Sequence, residues 1–113
     1  MSTEAEPPDT AAAAVVTDNP GDSRFDVRVG GELAGFATYH DGRRGRAFEH
    51  TEIADEYEGQ GLATKLISYV LDEARASERR VLPFCPFVRA FIERHPEYLD
   101  LVDRPERFGL TAS

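Results

Sequence analysis

The chain has 113 residues, 41% of them hydrophobic and 30% charged, with a formal net charge of −8. That length suits one domain with one core. The acidic balance argues against a nucleic-acid partner, because nothing would neutralise phosphates over a broad face. No apolar run approaches the roughly 20 residues of a bilayer span, so no membrane partner is expected. The N-terminus lacks the basic-then-apolar order of a secretory leader, and the single cysteine, Cys85, rules out an internal disulfide and suits a reducing compartment. These features together predict a cytoplasmic protein, a monomer or weak dimer.

Residues 1–14 are acidic and rich in Pro and Ala, without useful periodicity, and read as a disordered tail. Val15-Val16-Thr17 reads as a short edge strand or simply the start of the ordered part, and Asn19-Pro20-Gly21-Asp22 as a turn. Arg24 to Val29 alternates, with Phe25, Val27 and Val29 on one face of a half-buried strand. Gly30-Gly31 is a hairpin signal. Strand character resumes from Leu33 to Tyr39, stops at the turn Asp41-Gly42-Arg43-Arg44-Gly45, and returns from Ala47 to Ile53. These runs predict an antiparallel meander.

The period then changes. Leu62, Leu66, Ile67, Val70, Leu71 and Ala74 form the apolar stripe of an amphipathic helix ending near Ser77. Val81 to Phe84 reads as a short buried strand. A second helix runs from about Pro86 to Arg94 with Val88, Phe91 and Ile92 inward, and Pro96 stops it. Tyr98, Leu99, Leu101 and Val102 form a last apolar cluster. Residues 104–113 read as a tail, with Phe108 and Leu110 as docking candidates. Strand, glycine loop, helix and strand make a βαβ unit with parallel strands. The predicted fold is α/β (α+β): an antiparallel meander plus one parallel strand, with helices packed on the sheet.

The loop Glu58-Gly59-Gln60-Gly61-Leu62-Ala63 precedes the first long helix. Its glycines allow a tight turn and close ligand approach. The helix's first N–H groups are unpaired and lie at the positive end of its dipole, a ready site for a diphosphate. A P-loop is excluded by spacing, and Phe84-Cys85 stands where a dinucleotide fingerprint needs an acid. On spacing alone, an ordinary strand-to-helix turn explains the glycines equally well.

The stretch from Ile53 to Ala63 resembles the acetyl-CoA signature of the GNAT acetyltransferase superfamily, in which a strand end is followed by a short loop and (Q/R)-x-x-G-x-(G/A). The similarity is greater to the small single-domain members. These carry a run like His50-Thr51-Glu52-Ile53, then a Glu-Gly-x-Gly loop. Later stretches like Pro83-Phe84-Cys85-Pro86-Phe87-Val88 and Arg94-His95-Pro96-Glu97-Tyr98 follow in order. The resemblance spans about Val15 to Val102. It implies acetyl-CoA as cofactor and an amine acceptor as partner. Backbone amides of Gly59, Gln60, Gly61, Leu62 and Ala63, after Glu58, would hold the pyrophosphate. Backbone groups around Thr51 and Ile53 would pair with the pantetheine arm, in a cleft where the two parallel strands splay. Glu58 stands where most of the superfamily has Gln or Arg, and the chain has no room for the helices that wall an acceptor pocket in larger members.

Acetyl transfer to an amine needs a base, oxyanion donors and an acid for the departing thiolate. Cys85, just before a helix start that favours thiolate over thiol, is a candidate acetyl-accepting nucleophile or a small buried hydrophobe. His50 is a candidate base or a partner that orients Cys85. Glu52, on the same strand face as His50, is a candidate orienter or base. His95 reads as a helix C-cap. Three scattered histidines and one cysteine have no metal-ligand spacing. Three readings follow. The first is an acetyl-CoA-dependent N-acetyltransferase. The second is a non-catalytic acetyl-CoA-binding or self-acetylating sensor module. The third is an interaction protein that keeps the fold without the cofactor.

Overall fold

A computed structural model describes residues 10–110. The elements are α1 (Thr10–Ala13), β1 (Ala14–Asn19), β2 (Arg24–Val29), β3 (Glu32–Gly42), β4 (Gly45–Ile53), α2 (Leu62–Ala76), β5 (Val81–Pro83) and α3 (Pro86–Arg94). Short 3₁₀ turns at Pro20–Asp22, Asp55–Tyr57, Pro96–Leu101 and Pro105–Phe108 complete the described chain. The strands lie in sequence order in one sheet, antiparallel from β1 to β4, with β5 parallel to β4. This is the mixed sheet the periodicity predicts. The meander has four strands, because all six residues of β1 pair with β2, from Ala14 opposite Val29 to Asn19 opposite Arg24.

Cross-strand partners share a face of the sheet. Phe25 lies opposite Ala37, and Tyr39 opposite Phe48; these residues build the buried face. The α2 stripe of Leu62, Leu66, Ile67, Val70, Leu71 and Ala74 packs there, joined by Val88, Phe91 and Ile92 of α3 in one continuous core. The other sheet face carries Phe36, Thr38, His50 and Glu52 by the same pairing rule. None of the described helices is long and apolar enough to cross a membrane.

Two predicted tails differ from the structure at their inner ends. Residues 1–9 lie outside the described residues, but Thr10–Ala13 forms a helical turn and Ala14 is buried in the core. Alanine is the strongest helix former, and the Lys65 ammonium fastens the turn by donating to the Ala11 carbonyl at 2.8 Å. At the other end, Leu110 is buried and Phe108 packs against the core, while residues 111–113 lie outside the described residues. The Asp41–Gly45 turn is also tighter than the sequence predicts. Strand pairing continues to Gly42 opposite Gly45, because Arg46 binds Asp41 across the ladder with two hydrogen bonds of 2.6 and 2.9 Å.

Candidate functional site

The parallel pairing of β4 with β5 runs only from Arg46 opposite Val81 to Phe48 opposite Pro83. Proline has no N–H to extend a ladder, and Pro86 opens α3 directly afterwards. The last backbone tie is the Cys85 N–H, which donates to the Phe48 carbonyl at 2.8 Å. On the β4 side a bulge intervenes: Thr38 pairs with His50 and Tyr39 with Phe48, so Glu49 has no partner in β3. Beyond these points β4 continues to Ile53 while the other chain turns away into α3. The two strands therefore diverge.

The Ala54 N–H donates to the Ala34 carbonyl at 2.8 Å. In an antiparallel ladder, alternate residues turn their backbone groups to the same neighbour. Glu52 and Ala54 thus face β3, and the N–H and C=O groups of Thr51 and Ile53 face the gap. An extended chain laid in the gap would find donors and acceptors at strand spacing.

The glycine loop closes the gap at one end. Gly59 and Gly61 have φ of 79° and 80°, a region that L side chains avoid. Gly61 is the N-cap of α2 and supplies no side-chain cap. The first helical bond runs from the Lys65 N–H to the Gly61 carbonyl. The preceding amides, those of Leu62, Ala63 and Thr64, stand at the positive end of a 15-residue helix without a side-chain partner. A groove of 670 Å³ connects these amides to the β4 edge, lined by Gly59, Gly61, Leu62, Ala63 and Thr64 at one end and by Thr51 and Ile53 at the other. The space suits an anionic, elongated ligand held by main-chain donors.

Of the residues singled out from sequence, Thr51, Glu52, Ile53, Glu58, Gly59, Gly61, Leu62 and Ala63 line this groove. Gln60 does not: its carboxamide donates to the Glu56 carbonyl at 3.2 Å and braces the loop. His50 and Glu52 meet, as strand alternation predicts, with Nε2 and Oε1 3.1 Å apart and both side chains 60% exposed. Cys85 is buried, and its Sγ lies 3.4 Å from the Thr51 hydroxyl. Thr51 and His50 are neighbours on one strand and point to opposite faces. The thiol and the imidazole are therefore separated by β4, so the expectation that His50 orients Cys85 is not met.

Sequence reasoning missed Asp55, Tyr57, Thr64 and Phe87, which also line the groove. Phe87 carried a usable signal: it lies off the Val88, Phe91, Ile92 stripe of α3 and is a large exposed apolar side chain. Tyr57 donates a hydrogen bond to Glu32 at 2.5 Å, and that bond holds its phenol above the ordinary value. The side chains at the rim are acidic, through Glu52, Asp55 and Glu58, and among the described residues no basic side chain lines the groove. Anion affinity there falls to the backbone amides. His95 is the C-cap of α3, with its N–H on the Phe91 and Ile92 carbonyls, and its ring stacks on Phe91 at 4.2 Å. No group of described residues has the makings of a metal site.

A GCN5-like protein from Staphylococcus aureus, solved by NMR, superposes with a TM-score of 0.62 at 21% identity, covering 81% of this chain and 90% of that one. A ribosomal-protein-alanine N-acetyltransferase from Brucella melitensis biovar Abortus 2308 superposes with a TM-score of 0.50 at 23% identity, covering 71% of this chain and 61% of that one. At these identities the likeness is one of fold. No curated protein matches the chain. The family model for GCN5-related N-acetyl-transferases matches residues 24–101, from the start of β2 to the last residue of the 3₁₀ turn after α3, and the chain belongs to that family.

Proposed function

We propose that this chain is an acetyl-CoA-dependent N-acetyltransferase that binds its cofactor in the groove between the glycine loop and the free edge of β4. The observation that carries the reading is the uncapped N-terminus of α2 opening into that groove. The amides of Leu62, Ala63 and Thr64 would hold the diphosphate, and the backbone groups of Thr51 and Ile53 would pair with the pantetheine amides. When bound, acetyl-CoA supplies the activated acyl thioester.

The His50–Glu52 pair is the accessible base. With its proton on Nε2, His50 donates to Glu52, and Nδ1 is left to accept a proton from an incoming amine. Glu52 fixes that tautomer and balances the imidazolium. The amine nitrogen would attack the acetyl carbonyl and lose its proton to His50 Nδ1, the carbon–sulfur bond would break, and the departing CoA thiolate would take a proton from solvent. Both side chains stand on the sheet face away from α2, so the amine would enter from that side.

A second route is favoured by one contact, the 3.4 Å approach of Cys85 Sγ to the Thr51 hydroxyl at the start of α3. There the Cys85 sulfur would attack the thioester, its proton passing to the CoA sulfur as the CoA carbon–sulfur bond breaks, and the acetyl-cysteine formed would then acylate the amine and regenerate the thiol. Binding without turnover, as in a sensor module, is the remaining alternative.

CoA release measured against a panel of amines decides among these. The transferase reading expects turnover that drops about 10²-fold in His50→Gln and persists in Cys85→Ser. Intact-mass detection of an acetyl adduct on the wild type, lost in Cys85→Ser together with turnover, would establish the cysteine route instead. Tight acetyl-CoA binding with no turnover on any amine would leave only the sensor.

A further inference from the structure

A second pocket lies on the far side of β5 and shares no lining residue with the groove. Val81 and Pro83 are buried, while Leu82 lies opposite Ala47 and is half-buried on the other sheet face. After α3 the chain returns along the outer edge of β5, where Val102 bridges Val81 in parallel. The Asp103 N–H donates to the Val81 carbonyl at 3.1 Å, and the Pro105–Phe108 turn stands beside β5. Phe84 and Phe108 meet edge to face with centroids 5.2 Å apart. Beside this pair is a cavity of 410 Å³ lined by Leu82, Phe84, Phe108, Arg44, Arg107 and Asp103, within the size range of small-molecule sites.

Two features of this pocket are unusual for a structural hollow. Phe84 keeps 54% of its surface exposed despite its contact with Phe108. The polar lining is net cationic on a chain of net charge −8. Arg44 reaches Asp103 only at 3.9 Å, with half its side chain in solvent, and Arg107 has no ion pair among the described residues. A guanidinium pairs with carboxylates through two parallel hydrogen bonds, and an aromatic wall takes a flat apolar body. We propose that this pocket binds a small molecule combining an aromatic or aliphatic body with a carboxylate: the body lies against the Phe84–Phe108 pair and the carboxylate on Arg107 and Arg44. The assignment does not depend on the transferase reading.

Saturation-transfer NMR titration with 3-phenylpropionate as the probe tests it, with 3-phenylpropan-1-ol as the uncharged control. The acid is expected to bind at least about tenfold tighter than the alcohol. Arg107→Gln should remove that preference, and Phe84→Ala should weaken both probes. Both positions are exposed, so the fold should be kept, which an unchanged melting temperature verifies. Saturating acetyl-CoA should leave the probe's affinity unchanged, because the two sites share no residue. Equal binding of acid and alcohol, an unaffected Arg107→Gln protein, displacement by acetyl-CoA, or no transfer to the probe at millimolar concentration would each overturn the proposal.

Discussion

At Gly35, opposite Ile53 in the ladder, a Cβ would lie 2.5 Å from the Glu52 carbonyl oxygen and 2.6 Å from Ile53 Cδ1. The missing side chain is what lets Ile53 lie over β3 and form the groove wall. Gly35→Ala should therefore cost about 1–3 kcal/mol by overpacking, read from urea denaturation, and should weaken acetyl-CoA binding through displacement of the β4 edge. A substitution neutral in both assays would mean that the edge has slack. Sequence made Gly59 and Gly61 legible, because turn glycines sit between periodic segments. Gly35 was unreadable in that way: its requirement comes from a cross-strand neighbour 18 positions away, and no local pattern encodes it.

The β3–β4 hairpin is held by Arg46, which is buried, bonds both Asp41 oxygens, reaches Glu73 at 3.4 Å and lies 4.0 Å over the Tyr39 ring. The hydrogen bonds from Arg46 hold the Asp41 carboxyl below its ordinary value. A carboxylate with a lowered folded pKa stabilises the fold above its unfolded pKa, about 4, and the contribution fades as pH falls through the folded value. The melting temperature of the wild type should exceed that of Asp41→Asn by a constant margin from pH 7 to about pH 5. The margin should shrink below about pH 4. A margin identical at pH 7 and pH 2 would show that the ionised carboxylate contributes nothing. The strands and helices themselves were legible, because alternation and the 3.6-residue stripe carry the core of each. Their ends were not: Asp41 reads as a turn residue and Arg46 falls between turn and strand until their side chains are seen bonded across the ladder.

At the scale of the molecule, one core joins the sheet, both long helices and the last described residue, Leu110. Leu110→Ala should cost about 2–4 kcal/mol within a single cooperative urea transition, whereas a residue on a loose tail would cost almost nothing. The order of strands, the βαβ crossover and the glycine loop were legible because each follows from local patterning and chain handedness. The divergence of β4 from β5 was carried by the family resemblance alone. Its physical cause, the bulge at Glu49 set against Pro83 and Pro86, emerges only from the pairing register. That divergence leads to the central claim, that main-chain amides of α2 and β4 grip the cofactor. An amide-resolved ¹H–¹⁵N titration with acetyl-CoA tests it most directly. The account predicts the largest shifts at Gly59, Gly61, Leu62, Ala63 and Thr64, with a second group at Thr51 and Ile53. Unmoved amides at the start of α2, in a protein that binds acetyl-CoA elsewhere or not at all, would contradict it.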